Sequence, residues 1–233
     1  MYEVLHEMVE RTNADISVVS FCHDSDNSIG YPEKSSHCEV MDGLTALREV
    51  ITNGLGKGKI FCGIYTYLVS RHLFDNVRFP VGITNGEDRI VGNRLFYNAE
   101  KVVVRPYKCY HYCLRTGSAT RSIGKTALDL MYSDKEIDMW VSGHVPELRR
   151  VTVSNGIKDC LVAAFKYLAV DQFDNGIYHQ IMDYLDYYNN SCVVPKYKWR
   201  VVMGLMRLGR GSFYGMYWLF CLYEKFKKCW RYQ

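Results

Sequence analysis

No run in this chain approaches the roughly 18 uninterrupted apolar residues that a membrane-spanning helix requires. The N-terminus also lacks the basic-then-apolar pattern of a secretory leader. The nine cysteines, at 22, 38, 62, 109, 113, 160, 192, 221 and 229, are odd in number and scattered, and none forms a C-x-x-C pair. Cys109 and Cys113 stand alone as C-x-x-x-C, so a zinc site or a disulfide framework is not expected, and the thiols read as reduced in a cytoplasmic protein. No Rossmann fingerprint or Walker loop is present. Gly54-Leu55-Gly56-Lys57-Gly58 has glycines but no following helix with Lys-Ser/Thr, and it reads as a turn rather than a phosphate cradle. Internal repeats and low-complexity tracts are likewise missing.

The chain does have material for a core. Of its 233 residues, 48% are apolar, enough for one domain or for a domain with an appendage. Apolar periodicity predicts helices at 2–12, 43–53 and 87–98, strands at 15–21, 101–105 and 108–114, a strand-like stretch at 60–69 and a short helix at 70–75. Residues 23–42 read as a polar loop. From about Thr126 the pattern is helical, and it breaks at Asn189-Asn190-Ser191.

Charge divides the chain more sharply than composition does. Residues 196–233 carry nine Lys or Arg and one acid, Glu224, for a net +8. The other 195 residues carry 20 basic and 24 acidic groups, for −4. A basic end on an acidic body points to a polyanionic partner. The apolar and aromatic run from Phe213 to Tyr223, bounded by Lys and Arg, suits a helix lying in a membrane interface. There each basic residue near an anionic surface adds about 1 kcal/mol. The same aromatics could instead pack on the body, or stack on single-stranded nucleic acid. The expected partner is an anionic membrane surface contacted through residues 196–233, with no nucleic acid.

The residues that carry chemistry lie between Tyr65 and Ser122. Glu87-Asp88 follows a loop containing Gly82 and Gly86, and precedes Ile90, Val91, Leu95 and Phe96 at helical spacing. A carboxylate in that first turn has its charged form favoured by the helix dipole, and a charged, positioned Asp can take a proton from a hydroxyl nucleophile. Acidic residues in a first turn are also ordinary caps. Around the pair stand Leu73-Phe74-Asp75-Asn76-Val77-Arg78-Phe79-Pro80-Val81-Gly82, then Ala99-Glu100-Lys101-Val102-Val103. Tyr110-His111-Tyr112-Cys113-Leu114-Arg115-Thr116-Gly117-Ser118 follows.

In this order, LF-x-N-x-RFP-x-G, G-E-D, A-x-KV-V and Y-x-Y-x-x-R-x-GS resemble the C-terminal half of the bacterial family 2 glycosyltransferases. These are inverting GT-A-fold enzymes of surface-polysaccharide synthesis. The resemblance spans about half the chain, to about Ser122. It implies that Asp88 is the general base for an acceptor hydroxyl and that Glu87 steadies its surroundings. It further implies that Tyr65 lines the acceptor pocket, although Thr66-Tyr67 departs from the family's usual continuation. His111, Arg115 and Ser118 would lie near the donor diphosphate.

The family's donor half, an apolar strand running into a D-x-D metal motif, is not matched. Asp24-Ser25-Asp26 has the D-x-D form but lies too near Glu87-Asp88 and heads a Ser-, Asn-, Gly- and Pro-rich loop. Mg²⁺ or Mn²⁺ is therefore expected only for a complete enzyme, with its main ligands outside this chain.

The expected architecture is α/β: a partial GT-A-type domain at 1–122 lacking the N-terminal donor half, a helical extension at 123–195, and the basic aromatic end at 196–233. The expected enzyme transfers a sugar from a nucleotide-sugar donor to a saccharide or lipid-linked acceptor, peripherally on the cytoplasmic face of the cell membrane. In-frame coding sequence upstream of Met1 would then contain the strand and the D-x-D. The rival reading is a non-catalytic remnant that docks on a membrane or partner. His144, beside Pro146, and His179, in a tyrosine-rich helical stretch, read as loop and surface or core residues. Most of the nineteen tyrosines fall at helical spacing and read as packing residues.

Overall fold

The computed structural model describes residues 1–23, 37–53, 59–113 and 125–230. The chain divides into two compact units, Met1–Arg121 and Ser122–Gln233.

The first unit is a mixed α/β layer. Its elements are α1 (Tyr2–Thr12), β1 (Ile16–His23), β2 (Glu39–Met41), α2 (Gly43–Asn53), β3 (Tyr67–Val69), α3 (Glu87–Asn98) and β4 (Val102–Tyr112). The sheet order is β2-β4-β1-β3, with the central β1 and β4 parallel and both edge strands antiparallel. Parallel central strands are covered on both faces and so read as continuous apolar runs. Ile16, Val18 and Val19 of β1 and Val102, Val103 and Val104 of β4 are accordingly all buried. Leu5 and Met8 of α1 pack on Val19 and Val103. At the start of the sheet Asp15 Oδ2 accepts from the backbone N–H of Glu100 (2.8 Å) and of Lys101 (3.1 Å), tying the end of α3 to β1.

Three expectations need correction. The two strands at 101–105 and 108–114 are one strand. Its pairing with β1 passes from Val19↔Arg105 to Ser20↔Lys108, so Pro106, which has no N–H to donate, sits in a bulge instead of ending the strand. The polar loop at 23–42 contains the short edge strand β2. The strand-like stretch at 60–69 shrinks to β3, preceded by a 3₁₀ turn at Ile64–Thr66.

The seam between α2 and α3 depends on glycine. A Cβ at Gly43 would lie 2.1 Å from the Ala99 carbonyl oxygen and 2.2 Å from that of Phe96. Both obstacles are backbone, so the helices themselves would have to separate. Gly43→Ala is expected to cost about 3 kcal/mol, the upper range for overpacking, in urea unfolding followed by tyrosine near-UV circular dichroism. An unchanged midpoint would show that the seam opens freely.

The second unit is helical: α4 (Lys125–His144), α5 (Arg149–Leu168), α6 (Asn175–Asn189), α7 (Tyr197–Met206) and α8 (Arg210–Trp230). Asp174 caps α6, accepting from Ile177 N at 2.8 Å. The core gathers Met131, Ile157, Ile181, Leu185, Met206 and Phe213. Instead of one interfacial helix, the described part of this segment holds two, Tyr197–Met206 and Arg210–Trp230, and Met206 and Phe213, both 0% exposed, enter the helical core. No helix among the described residues is long and apolar enough to cross a membrane.

Candidate functional site

The site begins at the turn into α3. Gly86, with φ at 91°, takes the left-handed conformation that opens the helix without strain. No side chain caps this end, so the first turn belongs to Glu87 and Asp88. Ile90, Val91, Leu95 and Phe96 are buried as their spacing predicts, which fixes the rotation of α3 and hence the direction of the acid pair.

Asp88 Oδ1 accepts from Arg89 N at 2.8 Å. Its pKa is nevertheless raised to about 6. Burial is the larger cause and the neighbouring Glu87 charge the next, and both exceed the lowering by Arg89. This corrects the expectation of a dipole-favoured anion, because desolvation of the carboxylate outweighs the partial charge of the helix end. The outcome suits a base better, since a carboxylate near pKa 6 is largely ionised at neutral pH and still holds a proton well. Glu87 Oε2 is buried without a hydrogen-bond partner, an acceptor whose need is unmet within the described residues.

Tyr65 stands in a half-buried group of rings. Its centroid lies 4.6 Å from Tyr110, 5.8 Å from Tyr112, 6.0 Å from Phe61 and 6.4 Å from Phe21. Burial raises the Tyr65 phenol well above its ordinary pKa, and Tyr112, Cys62 and Asp88 add to that in turn. Asp88 thus lies within electrostatic reach of the ring cluster. Tyr67 is buried below, its hydroxyl donating to the Phe61 carbonyl. Phe21, Tyr110 and Tyr112 sit near the carboxyl ends of the parallel pair β1 and β4, where open α/β sheets bind their ligands.

Asp88, Glu87 and Tyr65 are therefore brought into one neighbourhood. His111 points to the other face of β4, since strand side chains alternate and its neighbours Tyr110 and Tyr112 both meet Tyr65. Its Nδ1 lies 3.7 Å from Cys22 Sγ. Arg115 and Ser118 lie outside the described residues, as do Asp24, Asp26 and the 54–58 glycine turn. The sequence offers Tyr110 and Tyr112 only as parts of the Y-x-Y-x-x-R-x-GS pattern and does not single out Phe21 or Phe61. The period-two spacing of Tyr110 and Tyr112, inside the strand expected at 108–114, was the available signal that the two rings share a face.

Among the described residues no group of three His, Cys, Asp or Glu side chains could hold a metal ion. Mg²⁺ or Mn²⁺ therefore has no ligand set among the described residues. What these residues can supply is a base, a second carboxylate oxygen and a floor of rings suited to a flat, partly apolar ligand. No protein-family model matches this chain, and no curated protein matches it.

Proposed function

We propose that the chain supplies the acceptor side of an inverting glycosyltransferase of the GT-A, family 2 kind. The supporting observation is a half-buried carboxylate, Asp88, with a pKa of about 6, within electrostatic reach of a half-buried ring cluster at the carboxyl ends of β1 and β4. An acceptor sugar stacks on Tyr65 and its neighbours and presents a hydroxyl to Asp88. As that proton moves to the carboxylate, the hydroxyl oxygen attacks the anomeric carbon of the nucleotide sugar. The nucleoside diphosphate leaves from the opposite face with the electron pair of the broken C–O bond, so a single displacement inverts the centre.

Glu87 Oε2 accepts from a second acceptor hydroxyl. The resemblance assigns Arg115 and Ser118 to the diphosphate, where donors aimed at developing charge contribute most. The resemblance assigns His111 to the diphosphate as well, and His111 lies on the face of β4 opposite the ring cluster, beside Cys22. The enzyme works peripherally on the cytoplasmic face of the cell membrane, on a saccharide or lipid-linked acceptor.

The test is transfer from labelled UDP-, GDP- and dTDP-sugars to membrane saccharides by the protein expressed with its full reading frame. Tyr65→Leu should raise the acceptor KM about tenfold, the loss of one ring-stacking contact with its area, while Tyr65→Phe stays near the parent. A Tyr65→Leu protein whose donor KM rises and whose acceptor KM does not would move the acceptor away from the ring cluster. No transfer from any donor would favour a docking role without catalysis.

A further inference from the structure

Nine of the twenty exposed large apolar side chains among the described residues fall between Tyr197 and Tyr223. Apolar exposure is therefore concentrated on α7, α8 and the turn between them instead of being scattered as singles. On α7 and the turn after it, Tyr197 (80% exposed), Val201, Leu205 and Leu208 (77%) recur every three or four residues, along one stripe. Exposed Arg200 flanks one edge of that stripe and exposed Lys198 the other. On α8, Trp218, Leu219 and Tyr223, each about 60% exposed, share a face with Gly211 and Gly215, and no charged residue occurs from Gly211 to Tyr223. The opposite sides of both helices are anchored. Met206 and Phe213 enter the core, and Phe165 of α5 meets the Tyr217 ring edge-on at 5.4 Å and the still half-exposed Phe220 ring tilted at 5.3 Å.

We propose that this two-helix face lies in the headgroup region of an anionic bilayer. The outer side chains of α7 and α8 insert, and Lys196, Lys198 and Arg200 meet lipid phosphates. Charge selects this occupant. Residues 196–233 carry +8, with Glu224 as the one acid, so a second copy would set like charge against like, whereas phosphate headgroups complement it. Arg207 and Arg210 are not counted among the lipid ligands. Arg207 pairs with Asp186 at 2.7 Å, and Arg210 holds Asn175 and the Phe173 carbonyl. The inference rests on the membrane part of the reading above and deepens it, because the docking element is a rigid face shared by two helices and held by the core rather than a free tail.

The full chain is mixed with vesicles of phosphatidylcholine, with and without an equal part of phosphatidylglycerol, at low and high salt, and capture is read by co-sedimentation. Capture should be at least tenfold stronger on the anionic vesicles at low salt and should weaken as salt screens the charges. Trp218→Ser with Leu219→Ser should lower it about tenfold or more on both lipids. Lys198→Gln with Arg200→Gln should lower it on the anionic vesicles alone. Tyr132→Ser, removing an aromatic 41% exposed elsewhere in the unit, should leave it unchanged, and circular dichroism should show every variant folded. Equal capture of the parent and the Trp218/Leu219 variant overturns the proposal. So does a concentration-dependent dimer that those two substitutions abolish while vesicle capture persists. No nucleotide sugar enters the binding assay, so a chain that transfers sugar but ignores vesicles refutes this surface alone and leaves the role of Asp88 standing.

Discussion

Replacing Asp88 by Asn should lower sugar transfer by about 10²-fold or more while nucleotide-sugar affinity stays within a few-fold of the parent. In the parent, kcat/KM should rise with pH through about 6 as the base ionises, and the Asn variant should lose that limb. The same substitution carries an opposite signature in stability. Asp88 has a folded pKa of about 6 against a reference of 3.8, so the fold favours its protonated form. The stability this group contributes is fully present below about pH 3.8 and is lost as pH rises through about 6. The gap amounts to on the order of 3 kcal/mol. Asp88→Asn should therefore stabilise the first unit at pH 8 by up to that amount and by almost nothing below pH 4. Scanning calorimetry at the two pH values measures it. Less stability at pH 8 would make Asp88 an ordinary helix cap, and transfer within a few-fold of the parent would remove it from the chemistry.

That combination, a group that weakens the fold at working pH, shows why only part of the site was legible in the sequence. The position of Asp88 could be read because it follows from local rules: Gly86 opens the helix, and Ile90, Val91, Leu95 and Phe96 set its buried face. Its protonation state could not, since the dominant cause is burial among elements far apart in sequence. Tyr65 could be read only singly. The rings that surround it come from β1, from the segment before β3 and from the distal half of β4, and they meet only when β4 continues past Pro106. A proline in a strand ordinarily marks an end, and nothing local announces the bulge that accommodates it. The edge strand β2 was invisible for a simpler reason: three residues in a polar stretch form a strand only because β4 offers them a partner. The basic end divides in the same way. Its composition reveals an interfacial character, but which side chains face outward is decided by Met206 and Phe213 entering a core built from α4, α5 and α6.

The largest effect on stability is expected at Asp138, a fully buried carboxylate on α4 that the sequence offered no reason to single out. It accepts from Arg149 Nη2 at 3.0 Å, from the Tyr187 hydroxyl at 2.8 Å and from the Thr152 hydroxyl. One oxygen pair thus joins α4 to α5 and α6. Asp138 is among the causes that raise both partners: the Arg149 guanidinium is held above its ordinary pKa first by its hydrogen bond to Asp138, and the Tyr187 phenol is raised first by burial and then by that same kind of bond. Asp138→Ala would leave a mostly buried guanidinium and the Tyr187 hydroxyl without their carboxylate acceptor, while Thr152 would keep only the Arg149 carbonyl at 3.2 Å. Breaking a buried pair from one side costs about 3–5 kcal/mol, because the partner's desolvation is no longer compensated. All four tryptophans, at 140, 199, 218 and 230, lie in the second unit, so tryptophan emission during urea unfolding reports on that unit alone. Asp138→Ala should lower its midpoint sharply at unchanged slope. Asp138→Leu combined with Arg149→Met should cost clearly less than the sum of the two single changes, since the charges disappear together. Single and double variants that add would mean that the pair is not coupled, and an Asp138→Ala protein within about 1 kcal/mol of the parent would mean that the network does not hold these helices together.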